Sequence, residues 1–554
     1  MPRTISIGEQ DFEELITRKN FYIDKTSLIK EWWDSDDKVT LITRPRRFGK
    51  TLNMSMLECF FSLKYAGRRE LFENLNVWQE EKYRGLQGTY PVIFLTFAGI
   101  KETNYAMAVR RFCGILQNQY IRNYYLLKSD VMTDGEKERF KRMADDMNAE
   151  DAPMSLHWLS DYLCRYYGKK VIILLDEYDT PLQEAYVNGY WEEIVAFTRN
   201  LFNNTFKTNP YLERAVMTGI TRVSKESMFS DLNNLRVITT SSCKYATDFG
   251  FTEEEVFEAM DEFGLTNKEE VKQWYDGFTI GDIQDIYNPW SIINFLKEGR
   301  LKTYWANTSS NGFAGSLLRK GNREIKMQFE ELLQNRSIRS EVDEEIVFNQ
   351  LDKNENAIWS LLLASGYLKI TDIKDDIYTL ELTNYEVWKM FKNMVSSWFS
   401  ENSSDYNDFI KALLIGDLDA MNDYMNELTQ SIFSSFDIGR KPSRKSAPER
   451  FYHGFVLGLL VDLSGRYELT SNRESGFGRY DVMLYPLNKE DDGIILEFKV
   501  YNTARETSLE DTVRAALEQI EEKNYEKTLI SRGIEKERIR RYGLAFDGKR
   551  VLIG

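Results

Sequence analysis

Histidine is almost missing from this 554-residue chain: only His157 and His453 occur, which excludes a His-rich metal site. Cysteine is nearly as scarce. Cys59, Cys113, Cys164 and Cys243 lie far apart with no C-x-x-C spacing, so neither a zinc site nor a disulfide framework is expected, and reduced core thiols are. No apolar run approaches about 18 residues, and the first turns carry Glu9, Asp11, Glu13 and Glu14. A transmembrane helix and a secretory signal are therefore not expected, and a cytoplasmic location is. Cationic charge is in deficit, 72 Lys and Arg against 87 Asp and Glu, and the net −15 argues against non-specific coating of nucleic acid while leaving a local basic groove open. What is present, 42% apolar and 29% charged residues, is the balance of a soluble globular protein. At about 150 residues per domain, the length calls for three or four domains.

The most informative stretch runs from Thr40 to Thr51. A β-branched and apolar run, Val39 to Ile42, enters the turn Arg44-Pro45-Arg46-Arg47-Phe48-Gly49-Lys50-Thr51, after which Leu52, Met56 and Phe60, with Leu57 and Phe61, recur at helical spacing. Strand, loop and helix in that order hold phosphate well. Backbone N–H groups converge, the helix N-terminus adds partial positive charge, and Lys50 reaches the outer phosphates. Thr51 would ligate Mg²⁺. The spacing is that of G-x-x-x-x-G-K-[ST], with Arg44 in place of the first glycine. The competing reading is a basic surface turn.

A second segment, Val171-Ile172-Ile173-Leu174-Leu175-Asp176-Glu177, supports the nucleotide reading. Five apolar residues predict a strand buried on both faces, ending in two carboxylates at the edge where open α/β sheets bind ligands. Asp176 would hold Mg²⁺ and Glu177 would polarise the water that attacks the γ-phosphate. Pro91 to Phe97 predicts another strand, and helices are expected around Tyr105 to Tyr125 and Ser155 to Tyr167, an alternation of βαβ type. Upstream, Phe21-Tyr22-Ile23-Asp24-Lys25-Thr26 would either contact an adenine ring or pack in the core. A strand at Arg214 to Met217 ends in Thr218-Gly219-Ile220-Thr221-Arg222. There Thr218 would sense the γ-phosphate and Arg222 would neutralise charge, unless this is a glycine turn with a solvated arginine. Leu235 to Thr240 is expected to complete the sheet.

From Phe251 the chain turns acidic, helical and rich in aromatics: Trp274-Tyr275-Asp276-Gly277-Phe278, Tyr287-Asn288-Pro289-Trp290 and Tyr304-Trp305. Asn288 before Pro289 predicts an N-cap and first helical position, and acidic neighbours favour packing of these aromatics over base stacking. Further on come a helix (Ile358 to Leu363), a turn (Ser365-Gly366), two short runs (Tyr367 to Ile370 and Ile377 to Leu382) and a capping box, Thr383-Asn384-Tyr385-Glu386. Helix then hairpin resembles a winged helix, but without a basic recognition helix. Residues 401 to 440 look helical, and Gly439 to Glu449 reads as a linker.

The C-terminal hundred residues carry a second constellation. A helix from Glu449 through His453 to Leu463 is followed by Gly478-Arg479-Tyr480-Asp481 and by two apolar runs around the turn Asn488 to Gly493. Strand alternation puts Glu497 and Lys499 on one face with Phe498 opposite, and antiparallel pairing brings Asp481 within a few positions. With Glu449 from the helix, that is an oxygen-rich pocket suited to Mg²⁺ or Mn²⁺, with Lys499 positioning water, unless it is an ordinary solvent-facing E-x-K hairpin. The helix Leu509 to Glu522 would lend Gln519. The basic tail, Arg532, Lys536, Arg538, Arg540, Arg541, Lys549 and Arg550, would either contact a phosphate backbone or form a solvated helix face.

Taken together, Arg44 to Thr51, Leu174-Leu175-Asp176-Glu177-Tyr178-Asp179, Trp274-Tyr275-Asp276-Gly277, Tyr287-Asn288-Pro289-Trp290, Ser365-Gly366-Tyr367-Leu368, and Gly478 to Asp481 with Glu497-Phe498-Lys499 resemble one bacterial family. Its members pair an N-terminal AAA-like ATPase domain with a C-terminal PD-(D/E)xK nuclease-superfamily domain. The resemblance implies that Arg44 in place of the first glycine is a family habit, and that Asp481, Glu497 and Lys499 occupy the nuclease triad with Glu449 as the helix acid. Tyr480 replaces the superfamily's proline before the aspartate. The expected architecture is a multidomain α/β chain. It comprises a P-loop ATPase sheet (1–245), a small helical lid (246–310), a winged-helix-like connector (311–400), a helical linker (401–440) and a restriction-endonuclease-like α/β domain (441–554). The nucleotide site is expected to include Arg44, Arg46, Arg47, Phe48, Gly49, Lys50, Thr51, Asp176, Thr218 and Arg222. The expected function is ATP hydrolysis coupled to Mg²⁺-dependent cleavage of DNA, with self-association left open and no membrane contact. The alternatives are a nucleotide-switched regulatory or scaffold protein that binds without cutting, and an ATPase whose aromatic lid recruits a protein partner.

Overall fold

The computed structural model describes residues 2–221, 229, 232–306, 314–315, 317–318, 323–343, 351, 357–375, 377–398, 406–433, 460, 463, 466–471, 474–475, 478–479, 481–488, 490–501, 506–547 and 550–554. The chain divides into two compact units, residues 1–320 with 331–389, and residues 321–330 with 390–554. Among the described residues no helix is long and apolar enough to cross a membrane.

The first unit is built on a parallel sheet. Its strands are β1 (Val39–Thr43), β2 (Val92–Thr96), β3 (Val171–Asp176), β4 (Leu212–Gly219) and β5 (Leu235–Ile238), in the order β2-β3-β4-β1-β5. Both β1 and β3 are buried along their whole length, as strands between two helical layers must be. Alternation along β3 sends Val171, Ile173 and Leu175 into one core with the helices Tyr105–Arg122, Ala152–Tyr167 and Trp191–Phe202. Ile172 and Leu174 enter the other, with the helices Ser27–Ser35 and Lys50–Phe61. Parallel register sets Ile42 beside Thr218, so the loop after β1 and the end of β4 leave the sheet together.

Residues 246–310, expected to be a helical lid, contain a sheet as well. Phe251–Thr252 (β6), Phe278–Ile280 (β7) and Ile283–Tyr287 (β8) form an antiparallel sheet in the order β6-β8-β7 beside the helices Glu253–Glu262, Lys268–Tyr275 and Pro289–Glu298. Strands of two to five residues leave no periodic signature to read. Asn288 caps its helix as expected, its Oδ1 accepting from Trp290 N at 2.9 Å. The hairpin Leu368–Lys374 (β10) and Ile377–Leu382 (β11) gains a third strand, Ile338–Glu341 (β9). Cys243 is exposed, with Sγ 3.1 Å from Asp282 Oδ2, so the four thiols are not all in the core.

The expected capping box at Thr383 to Glu386 does not form. Thr383 Oγ1 donates to Gly366 O at 2.8 Å and Asn384 supplies the cap, accepting from Val387 N at 3.1 Å. Glu386 is buried instead. It accepts from the backbone N–H groups of Tyr304, Trp305 and Ala306 and from Ser291 Oγ, tying two separate segments to one carboxylate.

The second unit contains a mixed sheet of Tyr467–Ser471 (β12), Val482–Pro486 (β15), Gly493–Val500 (β16), Ile539–Asp547 (β17) and Arg550–Ile553 (β18) in sequential order, with a two-stranded β13 (Glu474–Ser475) and β14 (Gly478–Arg479) outside it. β16 and β17 are parallel, and their crossover includes the helix Leu509–Glu522. Tyr406–Ile415 and Leu418–Phe433, helices in the segment read as a linker, share the core of this sheet through Phe409, Leu413, Met421 and Met425. Asn422 and Asn426 each exchange two hydrogen bonds with the backbone of Ile553 and Val551, all at 2.8 to 2.9 Å, and so occupy the edge of β18. The linker Gly439 to Glu449 lies outside the described residues, as does nearly all of the helix expected from Glu449 to Leu463.

Burial pushes the Glu386 carboxyl up from its ordinary 4.5 to about 7. The stability that this shift confers is full below pH 4.5 and is lost as pH rises through about 7. Denaturant titrations are expected to show wild-type stability falling over that window and a flatter profile for Glu386→Gln. Glu386→Ala, which strands the three N–H groups, is expected to lose about 1–3 kcal/mol.

Candidate functional sites

In the first unit the loop between β1 and the helix Lys50–Phe61 turns at Gly49, whose φ of +81° caps the helix in the left-handed region favoured by glycine. Lys50 is buried, with Nζ donating to the carbonyls of Arg44 (3.0 Å) and Pro45 (2.9 Å). Burial lowers its pKa, and Glu177, Asp176 and Asp179 oppose that shift. Thr51 Oγ1 donates to Asp176 Oδ2 at 2.7 Å, and Thr218 Oγ1 donates to Asp176 Oδ1. One buried carboxylate thus joins the ends of β3 and β4 to the first turn of the helix. Burial raises its pKa, and the two hydroxyl bonds counter that.

Glu177 follows at φ +52°, its Oε2 accepting from Thr180 Oγ1 at 3.0 Å. Asp179, fully enclosed, holds the strand end by accepting from Ile220 N, Thr221 N and Thr221 Oγ1 at 2.8 to 2.9 Å. A cavity of about 370 Å³ opens here, and its wall includes Arg46, Arg47, Phe48, Gly49, Lys50, Thr51 and Glu177. Tyr22, Lys25, Asp248, Phe251 and Trp290 also line it, so Tyr22 both faces the cavity and packs, its hydroxyl 3.5 Å from Met56 Sδ.

Arg44 departs from expectation. Its guanidinium is buried, donating to the carbonyls of Thr43 and Thr239 at 2.9 and 2.8 Å and of Lys244 and Tyr245 at 3.2 Å, away from the cavity wall. Arg46 donates to Gln183 Oε1 at 3.1 Å, and Arg47, at φ +64°, lies 4.3 Å from the ring centre of Trp290. Phe48 is core, edge-on to Phe278 at 4.8 Å. Arg222 lies outside the described residues. The residue pattern assigns no role to Asp179, Gln183 or Asp248, and for Trp290 it favours packing over base stacking, with recruitment of a partner as the alternative. Lone polar residues in aromatic surroundings carry no spacing that would mark them.

In the second unit the β15–β16 register pairs Val482 with Leu496, which leaves Asp481 beside Glu497. Asp481 Oδ2 accepts from Phe498 N at 2.8 Å, and Asp481 N donates to Glu497 Oε2 at 3.3 Å. Glu497 and Lys499 continue the face of Ile495, while Phe498 enters the opposite core. Gln519 bridges them: Lys499 Nζ donates to its Oε1 at 2.6 Å, and its Nε2 donates to Glu497 Oε1 and, at 3.2 Å, to Tyr525 Oη. Glu449 lies outside the described residues. Among the described residues the basic tail is no helix face. Arg540 and Arg541 are on β17, and the side chains pair with acids: Arg532 with Glu468 at 2.7 Å, Arg538 with Asp492 at 3.3 Å, Arg540 with Asp492 at 2.8 Å and Arg541 with Glu521 at 2.7 Å.

A parallel-sheet unit with its loop lysine and acidic strand end around one cavity, followed by a sheet unit with paired carboxylates and a lysine, is the arrangement of an ATPase-like protein joined to a nuclease-like one. Residues 6–229 match the family described as Predicted AAA-ATPase, and residues 447–554 match the PD-(D/E)XK nuclease superfamily. The chain therefore carries an AAA-ATPase-like domain and a C-terminal PD-(D/E)XK nuclease-superfamily domain. It is also similar to an Azotobacter chroococcum mcd 1 protein described as an uncharacterized protein in the vnfD 5′ region, 24% identical over 394 residues that cover 70% of this chain and 68% of the relative.

Replacing Arg44 by Ala or Lys is expected to cost on the order of 3 kcal/mol, because several buried carbonyls lose a charged donor and Lys cannot span them. Thermal unfolding checks this, and Lys is expected to rescue little.

Proposed function

We propose that the first unit binds ATP over Lys50 and Thr51 and hydrolyses it, and that the second is a metal-dependent nuclease cutting DNA phosphodiester bonds, the two activities being coupled on one chain. The observation that carries the reading is that Lys50, Thr51 and Glu177 open on one cavity while Asp176 ties Thr51 to Thr218. In this reading residues 1–245 form a P-loop ATPase domain, 246–310 its lid, 311–400 a winged-helix-like connector and 441–554 the nuclease domain, with the helices of 401–440 as its outer wall.

The hydroxyl of Thr51 and the carboxylate of Asp176 are hard oxygen donors and suit Mg²⁺, which would supply charge neutralisation at the β- and γ-phosphates. Lys50 exchanges two loop carbonyls for phosphate oxygens, a stronger charge-assisted contact. Glu177 accepts a proton from the attacking water, held in place by Thr180. Thr218 and Arg222 stabilise the charge that develops. In the second unit Asp481 and Glu497, with Glu449, suit Mg²⁺ or Mn²⁺, which would supply an activated water. Lys499, fixed by Gln519, orients that water and offsets charge on phosphorus. A second reading, a nucleotide-switched scaffold whose nuclease-like unit binds without cutting, draws support from the acid pairing of Arg532, Arg538, Arg540 and Arg541.

Lys50→Ala is expected to abolish ATP binding in titration calorimetry. Glu177→Gln is expected to bind ATP and turn it over roughly 10²–10⁴-fold more slowly. Unchanged turnover in either variant removes that role. With Mg²⁺, wild type is expected to cleave plasmid or single-stranded DNA, and Glu497→Ala and Lys499→Ala to lose cleavage while keeping ATPase activity. Cleavage by both variants at the wild-type rate removes the nuclease assignment, and DNA binding without cleavage by wild type decides for the scaffold.

A further inference from the structure

We propose that Asp248 selects the base of the bound nucleotide, its Oδ2 accepting the exocyclic amino group of adenine. This rests on the nucleotide reading of the cavity. Strand order separates the two flanks of the loop: β3, with Asp176 and Glu177, lies two strands from β1 on one side, and β5, which leads to residues 248–251, borders β1 on the other. Triphosphate held by Lys50 and Thr51 beside Glu177 therefore places the base toward the second flank. The wall there is Tyr22, Lys25, Asp248 and Phe251.

Asp248 is 1% exposed, and most of its polar atoms are committed. Oδ1 accepts from Ser27 Oγ at 2.5 Å, and the main-chain oxygen accepts from Asn53 Nδ2 at 2.9 Å. Among the described residues Oδ2 has no hydrogen-bond partner. Lys25, the cation on the same wall, is taken by Thr247 O at 2.7 Å and by Glu255 at 2.6 Å. A buried acceptor left unpaired is costly, and a ligand N–H relieves the cost. Adenine presents an amino group at C6, where hypoxanthine and guanine present a carbonyl oxygen. An acceptor facing that position pairs with the first and repels the others, and sites built this way discriminate strongly.

Affinities of ATP, purine riboside triphosphate, which lacks the amino group, and inosine triphosphate are to be measured on the full chain at pH 8, because burial pushes the Asp248 carboxyl up to about 7. Wild type is expected to bind ATP about tenfold or more tightly than purine riboside triphosphate, the worth of a hydrogen bond to a charged group. Asp248→Ala is expected to bring the two within about threefold, by loss of ATP affinity alone. Asp248→Asn keeps the shape, and with Ser27 donating to its oxygen it turns an N–H toward the base. Its preference is expected to move toward inosine triphosphate. An ATP preference unchanged in both variants overturns the proposal, as does an equal loss of affinity for every triphosphate together with a lower melting temperature. That second outcome would make Asp248 a counter-charge to Arg44. Failure of wild type to bind any triphosphate overturns the nucleotide reading and this one with it.

Discussion

A carboxylate can be buried only where donors meet it, and that requirement organises both units of this protein. Asp176 is 1% exposed and survives there because Thr51 and Thr218, more than 160 positions apart, each give it a hydroxyl. Asp179 does the same for the turn at Ile220 and Thr221, and Glu386 for the backbone at Tyr304 to Ala306. In the second unit Glu497 is met by Gln519 and by the N–H of Asp481. Each acid fixes the spacing of segments that chain connectivity leaves free.

The first-unit motifs on which the family resemblance rests are scattered in sequence, yet Asn288, Trp290 and Gly366 all meet the loop. Asn288 Nδ2 donates to Arg46 O at 3.2 Å, Trp290 faces Arg47, and Phe48 begins a run of ring contacts through Phe278 and Trp305 to Tyr367. Gly366 closes against the loop so tightly that a Cβ would come within 2.9 Å of Pro45, and its φ of +85° adds a second reason for glycine. Phe278, Trp290 and Trp305 therefore act less as a separate surface than as a mould around the loop that precedes Lys50. A change in the loop on binding would be felt along that run, because packed rings have few alternative arrangements.

The strands and helices that bear the chemistry were readable because they are long and periodic: Val171–Asp176 as an apolar run with an acidic end, Lys50–Phe61 as a helix after a glycine turn. The short strands Phe278–Ile280 and Ile338–Glu341 were not, since three or four residues carry no period. Thr383 to Glu386 had the letters of a capping box, yet Glu386 turned inward because burial against three N–H groups outweighed the local bond. Arg44 was read among phosphate-binding residues and proved to be a clamp on four carbonyls, since nothing in a loop sequence says which way a long side chain leaves it.

Residue order alone determined that a basic Gly-Lys-Thr turn precedes a helix, that an apolar strand ends in Asp176 and Glu177, and that Glu497 and Lys499 share a face. Spacing within one element settles such things. Tertiary structure alone decided that Asp481 comes to rest beside Glu497, that Gln519 spans Glu497 and Lys499, and that Asp248 stands in the cavity wall with one oxygen unpaired among the described residues. These depend on strand register and on which helix crosses which sheet, and both are set by the summed packing of residues far apart in the chain.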